Sequence, residues 1–222
     1  MFKKFAQKQS NSAVAAPSGD HYQFTENWFE PFQNIWAGMI LNLKPKKILE
    51  IGSYEGASAC FLIETLSPTT ELELHCVDNW EGGIEHHKPE MKNVEGRFFR
   101  NLEEAKKRAA NPVQLVVHKS SSDIALAKLI AAGMRGSFDL VYVDGSHQAP
   151  DVLCDAILGF KLLRVGGMMI FDDYLWFERL PGGADPLRCP KPAIDAFTNL
   201  YFRKIRIRSE PLYQIYLEKL AD

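Results

Sequence analysis

Several patterns that would settle function at once are missing from this chain. It has no G-x-G-x-x-G dinucleotide fingerprint and no P-loop Lys-Ser/Thr pair, so a pyrophosphate-binding turn is not indicated. No apolar run approaches the ~20 residues that a membrane helix needs. The formal net charge of -2 shows no basic excess. We therefore expect neither a membrane nor a nucleic-acid partner.

Cysteine is scarce, and no two cysteines form a C-x-x-C pair. The pattern predicts free thiols in a reducing compartment, and the four are Cys60, Cys76, Cys154 and Cys189. The lysines near the start, Lys3, Lys4 and Lys8, are not followed by an apolar segment of the kind that a signal peptide carries. Both observations favour a cytoplasmic protein.

The domain organisation follows from composition. Residues 1–20 are small and polar and predict a flexible N-terminal tail, whereas residues 21–222 predict a single domain. Residues 22–43 predict an amphipathic helical cover over a sheet face, through which subunits of a homo-oligomer could pair. Its apolar side chains at helical spacing are Phe29, Phe32, Trp36, Met39, Ile40 and Leu43.

From residue 46 onward, strand-like and helix-like segments alternate. This alternation predicts an α/β fold with a mainly parallel, doubly wound sheet. The strand-like segments are 47–51, 72–78, 113–118, 138–143 and 168–172, and the helix-like segments are 57–66, 94–110, 121–133 and 150–164. After a helix-like piece at 191–200, the segments 201–208 and 212–217 are joined so tightly that they must be antiparallel.

A nucleoside site is indicated where the first two strands end. The apolar run that begins at Ile48 is followed by a turn with Gly52 and Gly56, and Asp78 ends the next strand. A small-residue turn before a helix and an acid on the following strand are typical of nucleoside binding. Glu50 beside the turn suits a sulfonium ligand with an amino-acid end, and Asp78 suits ribose hydroxyls. Further candidates for cofactor binding at this edge are Ser53, Asn79, Trp80, Ser121, Ser122 and Asp144, with Trp80, Ser121 and Ser122 bordering adenine.

Three acids and a histidine follow strands four and five. Asp144, Asp172 and Asp173 should converge at the carboxyl edge of the sheet, where they repel one another unless a cation lies between them. Carboxylate oxygens suit Mg²⁺, which would make a bound hydroxyl easier to deprotonate. His147 or Asp144 would accept the proton. Taken singly, each acid also fits a turn or helix cap and the histidine a structural role.

Four segments in order, 48–56, 77–80, 143–147 and 163–174, resemble the class I S-adenosylmethionine-dependent methyltransferases. They are most similar to the small O-methyltransferase branch that includes metal-dependent sugar O-methyltransferases. The resemblance implies a Rossmann-like seven-stranded sheet of order 3-2-1-4-5-7-6 with the last strand antiparallel. It implies that Gly52 and Ser53 line the methionine part of the cofactor, that Glu50 orients it, and that Asp78 binds ribose. The implied Mg²⁺ ligands are Asp144, Asp172 and Asp173.

Two departures from the family pattern are visible. Catechol-type relatives place a lysine base where this chain has His147, which argues against a catechol substrate. Tyr54 stands where the middle glycine of the first motif is usual.

The predicted function is O-methylation of a small-molecule or sugar hydroxyl with S-adenosylmethionine and Mg²⁺. The alternatives are an inactive S-adenosylmethionine-binding protein and an NAD-dependent oxidoreductase. For a ring-shaped acceptor, the apolar walls would come from Trp28, Trp36, Trp80 and Trp176.

Overall fold

A computed structural model describes residues 21–84, 86 and 91–222, so the predicted tail 1–20 lies outside the described residues. Seven strands form one sheet, in the order β3-β2-β1-β4-β5-β7-β6. The strands are β1 Lys47–Ile51, β2 Leu72–Asp78, β3 Val113–Lys119, β4 Phe138–Val143, β5 Leu163–Phe171, β6 Ile205–Ile207 and β7 Ile215–Lys219. The helices are α1 Gln33–Leu43, α2 Ala57–Leu66, α3 Val94–Arg108, α4 Ser122–Ala131, α5 Ala149–Leu162 and α6 Lys191–Tyr201.

The predicted topology is confirmed. Strands β1 to β5 pair in parallel, and β7 is antiparallel to both β5 and β6. Because β1 and β4 are neighbours while the chain runs outward from them in both directions, the sheet has its switch point between these two strands. In sheets of this kind, ligands bind beyond the carboxyl ends of the strands at that point.

The helical cover is shorter than predicted. A 3-10 turn spans Glu30–Phe32 and α1 follows, but residues 22–29 are not helical. They form a strap that is held by a side chain of the first crossover, between β1 and β2, and by a side chain of α3. The Thr25 N–H donates to Glu55 over 2.6 Å, and the Gln23 N–H donates to Asn101 over 2.7 Å. These tertiary hydrogen bonds override the helical spacing of the aromatic residues.

Each face of the sheet has its own apolar core. On one face α1, α2 and α3 bury Trp36, Phe61 and Phe98. On the other, α4, α5 and α6 bury residues such as Phe160 and Phe197. With both faces covered, ligands have access to the sheet only at its edges.

The predicted cytoplasmic location stays a prediction. Among the described residues, none of the helices is long and apolar enough to cross a membrane. All four cysteines are free thiols, with Cys60 and Cys76 buried and Cys154 and Cys189 partly exposed.

Candidate functional site

The turn after β1 is built around Gly52. This residue has a φ of +84°, and its N–H donates to the Val77 carbonyl over 2.9 Å. A Cβ at this position would lie 1.9 Å from the Asp144 carbonyl oxygen, so only glycine fits. Gly52 thereby brings the turn after β1 into direct backbone contact with the turn after β4. We call the segment 52–56 the cofactor turn.

Asp78 holds the cofactor turn from the neighbouring strand. Its carboxylate accepts hydrogen bonds from the backbone N–H groups of Ser53 at 2.9 Å, Tyr54 at 2.8 Å and Trp80 at 2.7 Å. Burial raises the pKa of Asp78, and these donors oppose that rise. One carboxylate oxygen therefore binds the cofactor turn and the other binds the turn after β2, and the ribose contact stays a prediction.

Glu50 lies deeper than its predicted role suggests. It is fully buried and accepts hydrogen bonds from the Ser58 hydroxyl and, at 3.5 Å, the Cys76 thiol. Burial raises its pKa to about 7. The Ser53 hydroxyl helps to lower that pKa, yet among the described residues it has no partner of normal hydrogen-bond geometry. An unsatisfied buried hydroxyl in this turn fits a polar ligand.

The other predicted cofactor residues lie at the same edge. Asn79 accepts a hydrogen bond from the Glu81 N–H at 3.0 Å and shapes the turn after β2. Ser121 occupies the N-cap position of α4 without a side-chain capping bond, and Ser122 begins the helix, so both follow the carboxyl end of β3. Gly56, with a φ of +82°, lets α2 pack against Leu102 of α3, because a Cβ there would lie 2.4 Å from that side chain.

Trp80 and Trp36 face the interior. The Trp80 ring packs on Phe98 at 5.0 Å, and its indole N–H donates to the Tyr54 carbonyl at 2.9 Å. It supports the cofactor turn from behind, so a contact with adenine stays a prediction. Trp36 is 0 % exposed, and its predicted role as a pocket wall is wrong. Trp28 is exposed and packs on Tyr54 of the cofactor turn, and Trp176 is partly exposed and packs on His147.

The acids after β4 and β5 meet around a tyrosine hydroxyl. Tyr142 Oη lies within hydrogen-bond distance of both Asp144, at 2.9 Å, and Asp172. The Asp173 N–H donates to Asp172 over 2.7 Å. Burial, together with the charges of Asp172 and Asp173, raises the pKa of Asp144 well above its usual range. Burial and the charge of Asp173 raise the pKa of Asp172 to about 6.

His147 and Asp173 form a separate pair at the rim of this cluster. The Nε2 atom of His147 lies 2.9 Å from an Asp173 carboxylate oxygen, and its ring packs against Trp176 with centroids 4.1 Å apart. Asp173 has a φ of +56°, a left-handed conformation that is uncommon for a residue with a side chain. The pair is an imidazole oriented by a carboxylate, as in a general base.

The carboxylate oxygens of Asp144, Asp172 and Asp173 suit a hard cation, but the three side chains do not point at one common position. Within the described ranges, no group of three or more His, Cys, Asp and Glu side chains is placed to hold a metal ion. Asp144 and Asp172 share the tyrosine hydroxyl, whereas Asp173 faces His147. The metal prediction therefore rests on donor chemistry alone.

Sequence reasoning missed two residues of this cluster. Tyr142 lies two positions before Asp144, so the alternation of a strand puts both side chains on one face, and this signal was available. Gln214 donates to Asp172 over 2.8 Å from the segment before β7. No local pattern indicates it, because only the strand order brings β7 beside β5.

Comparisons with known proteins agree with this geometry. Residues 49–174, more than half of the chain, match a family model described as "Methyltransferase domain". A "Probable caffeoyl-CoA O-methyltransferase 3" from Dictyostelium discoideum is 26 % identical over 147 residues, which cover 65 % of this chain and 51 % of the relative. The chain thus spans about half the length of that curated relative.

Solved structures share the fold. The O-methyltransferase TomG from Streptomyces achromogenes, in complex with S-adenosylmethionine, is 19 % identical with a TM-score of 0.60, over 86 % of this chain and 80 % of that one. An O-methyltransferase from Bacillus cereus, in complex with S-adenosylhomocysteine, is 15 % identical with a TM-score of 0.60, over 91 % and 84 % of the two chains. Together with the match of the family model, the strand order and the turn built on Gly52 show that this chain belongs to the methyltransferase-domain family.

Proposed function

We propose that this protein is an O-methyltransferase that transfers the methyl group of S-adenosylmethionine to a hydroxyl of a small molecule. The observation that carries the proposal is the contact between Gly52 and the Asp144 backbone, which joins the cofactor turn to the acid cluster. A donor bound at this turn and a hydroxyl beside the acids would be neighbours. The family membership and the named relative support the reaction type.

The chain's own residues would act chiefly by alignment. The acceptor oxygen attacks the methyl carbon in line with the breaking carbon–sulfur bond, whose electron pair neutralises the sulfonium. The acceptor loses its proton to His147, which Asp173 orients, and Asp144 is a second acceptor for that proton. Holding donor and acceptor in this geometry supplies most of the rate gain in such transfers.

We keep magnesium as a separate part of the proposal. Asp144, Asp172 and Asp173 would hold it, and when bound it would lower the pKa of an acceptor hydroxyl. Besides burial, the charges of Asp172 and Asp173 raise the pKa of Asp144, and the charge of Asp173 raises that of Asp172; a cation would offset this repulsion. Transfer rates measured after EDTA treatment, and again after Mg²⁺ is restored, test this part. A rate that EDTA leaves unchanged would remove magnesium from the proposal.

The acceptor is proposed to be a small molecule because the rim of the site is lined by aromatic rings. Trp176 covers His147, Trp28 packs on Tyr54 at 5.1 Å, and Tyr213 packs on Phe32 at 5.6 Å. Exposed aromatic rings beside polar groups favour a ring-shaped hydroxyl compound.

The aromatic side of α1 faces the core, so this helix offers little for the pairing of subunits, which stays a prediction.

The test compares ligands before it measures turnover. S-adenosylhomocysteine should raise the melting temperature of the protein, whereas NAD should not. Radiolabelled methyl transfer is then measured on phenols, sugars, polyketides and caffeoyl-CoA. Stabilisation by NAD alone would favour the oxidoreductase alternative. Stabilisation by S-adenosylhomocysteine without transfer to any acceptor would favour the inactive binder.

A further inference from the structure

A chain of buried hydrogen bonds runs from α1 to the acid cluster through Gln214. This side chain is 1 % exposed. Its amide oxygen accepts hydrogen bonds from the indole N–H of Trp36, at 2.9 Å, and from the Tyr216 hydroxyl. Its amide nitrogen donates to Asp172 Oδ2 over 2.8 Å. Three segments that are far apart in sequence therefore meet at one amide.

The two donors on the amide oxygen decide which way Gln214 faces. A flipped amide would place its NH₂ group against the Trp36 N–H, which can only donate. The Tyr216 hydroxyl could rotate to accept, but the indole could not. Trp36 has no freedom to move away, because its ring is fully buried between Phe29 and Tyr142. The buried indole therefore fixes the amide nitrogen toward Asp172.

Asp172 is held on three sides as a result. Gln214 and Tyr142 both lie on its Oδ2, and the Asp173 N–H lies on its Oδ1. Of these, Gln214 is the one that reaches the carboxylate from outside β4 and the loop after β5. Without this donor, the Asp172 carboxylate would lose its link to the segment before β7 and would be free to rotate from its present position.

We propose that Gln214 is a positioning residue for the transfer reaction: it aims Asp172 at the acceptor edge, and Trp36 sets its orientation. The inference rests on the proposed function for its effect on rate, but the placement of Asp172 can be tested without it. Gln214 lies on the side of Asp172 away from the cofactor turn, so its loss should affect the acceptor step and leave cofactor binding unchanged.

Two variants change this chain of hydrogen bonds in different ways. Gln214→Glu keeps the shape and the acceptor for Trp36 and Tyr216, but it turns an oxygen toward Asp172 in place of a donor. Trp36→Phe keeps an aromatic ring and removes the N–H that prevents the flip. Phe197→Leu, in the core on the other face of the sheet, is the control for general loss of packing.

The experiment is a crystal structure of each variant, combined with kcat, KM and the affinity for S-adenosylhomocysteine, measured with the best acceptor of the panel. In Gln214→Glu we expect the Asp172 carboxylate to rotate and kcat to fall about tenfold or more, which is the effect of losing a hydrogen bond to a charged group. The Kd for S-adenosylhomocysteine should stay within about twofold, the error of such measurements, since no contact with the cofactor turn is lost. Trp36→Phe should show a smaller fall, and Phe197→Leu a lower melting temperature with normal kcat.

Either of two results would overturn the inference: an Asp172 carboxylate that keeps its place in both variants, or one that moves while kcat is unchanged. The crystal structures decide the first point even where no acceptor of the panel is methylated. A wild-type protein that fails to bind S-adenosylhomocysteine would refute the proposed function and leave the placement of Asp172 to be judged from the structures.

Discussion

The carboxyl edge of the sheet has two parts: a cofactor half after β1 and β2, and an acceptor half after β4 and β5. In the cofactor half most contacts involve the backbone, since Gly52 lies against the Asp144 carbonyl and Asp78 accepts from three backbone N–H groups. At the end of β4 and β5, side chains bond to side chains, as Tyr142 does to Asp144 and Asp172. The contacts of the cofactor half join neighbouring turns, whereas those of the acceptor half require side chains from strands that the sheet brings together.

The largest effect is expected from adding one methyl group to the cofactor half. Gly52→Ala places a Cβ against a backbone carbonyl that cannot move aside, and we expect a loss of more than about 4 kcal/mol in unfolding free energy. Gly133→Ala is the matched control. Gly133 also has a positive φ, of +82°, but open space around it, so backbone strain alone should cost about 1 to 2 kcal/mol. Equal losses in urea denaturation would contradict the close contact.

The acceptor half should respond in rate and not in stability. His147→Gln removes the proposed proton acceptor, and we expect kcat to fall about 10²- to 10³-fold, as for the loss of a general base. Binding of S-adenosylhomocysteine, followed by calorimetry, should be unchanged. A variant with normal kcat would assign the proton to Asp144, and a variant that loses cofactor affinity would show that the two halves are not separable.

A buried acid beneath both halves should make stability depend on pH. Asp155 of α5 is 1 % exposed, its Oδ2 lies 3.6 Å from the position a Gly145 Cβ would take, and burial raises its pKa to about 7. Within the described chain, neither carboxylate oxygen has a hydrogen-bond partner of normal geometry. In the unfolded chain its pKa is about 3.9. Between about pH 4 and 7 the unfolded chain therefore releases a proton that the folded state keeps, and the folded state loses stability as the pH rises through this range.

Asp155→Asn removes this cost. We expect the variant to be more stable than the wild type by about 2 to 4 kcal/mol at pH 8, with a gain that vanishes near pH 4. Thermal and urea denaturation at pH 4, 6 and 8 measure it. A gain of equal size at every pH would show that the ionisation of Asp155 is not its source.

The smallest effect is expected when two aspartates that accept similar backbone hydrogen bonds are replaced by asparagine. Asp78 accepts backbone hydrogen bonds at the carboxyl end of the sheet, and Asp139 accepts them from Lys46, at 2.8 Å, and Lys47, at 2.9 Å, at the opposite end of β1. Asp78→Asn should weaken binding of S-adenosylhomocysteine about tenfold, because an amide nitrogen then faces N–H donors. Asp139→Asn should lower stability and leave that affinity unchanged. Equal affinities in the two variants would exclude Asp78 from the cofactor site.

The same contrast explains how far the sequence alone could lead. Gly52, Asp78 and Asp144 were found because each lies at the end of an apolar strand, a signal contained in a few neighbouring residues. The alternation and the final hairpin predicted a mainly parallel sheet with an antiparallel ending, whereas the strand order was implied by the family resemblance, and both are confirmed. The shorter helical cover was missed because Thr25 and Gln23 bond to residues of the first crossover and α3, which a local pattern does not show.

The hydrogen-bond partners of the acids in the acceptor half could not all be predicted from neighbouring residues in the sequence. Tyr142 had a signal, since it shares a strand face with Asp144. Gln214 had none, because its partners Trp36 and Asp172 belong to α1 and to the loop after β5. The role of Trp36 was mistaken for the same reason: its helical position showed that it would be buried somewhere, but not that its N–H would serve a buried amide.

A crystal structure of the protein with S-adenosylhomocysteine tests the central claim most directly. We predict that the ligand lies along the cofactor turn, with its sulfur facing Asp144 and His147. Its absence from the turn, or a sulfur that points away from the acids, would contradict the account.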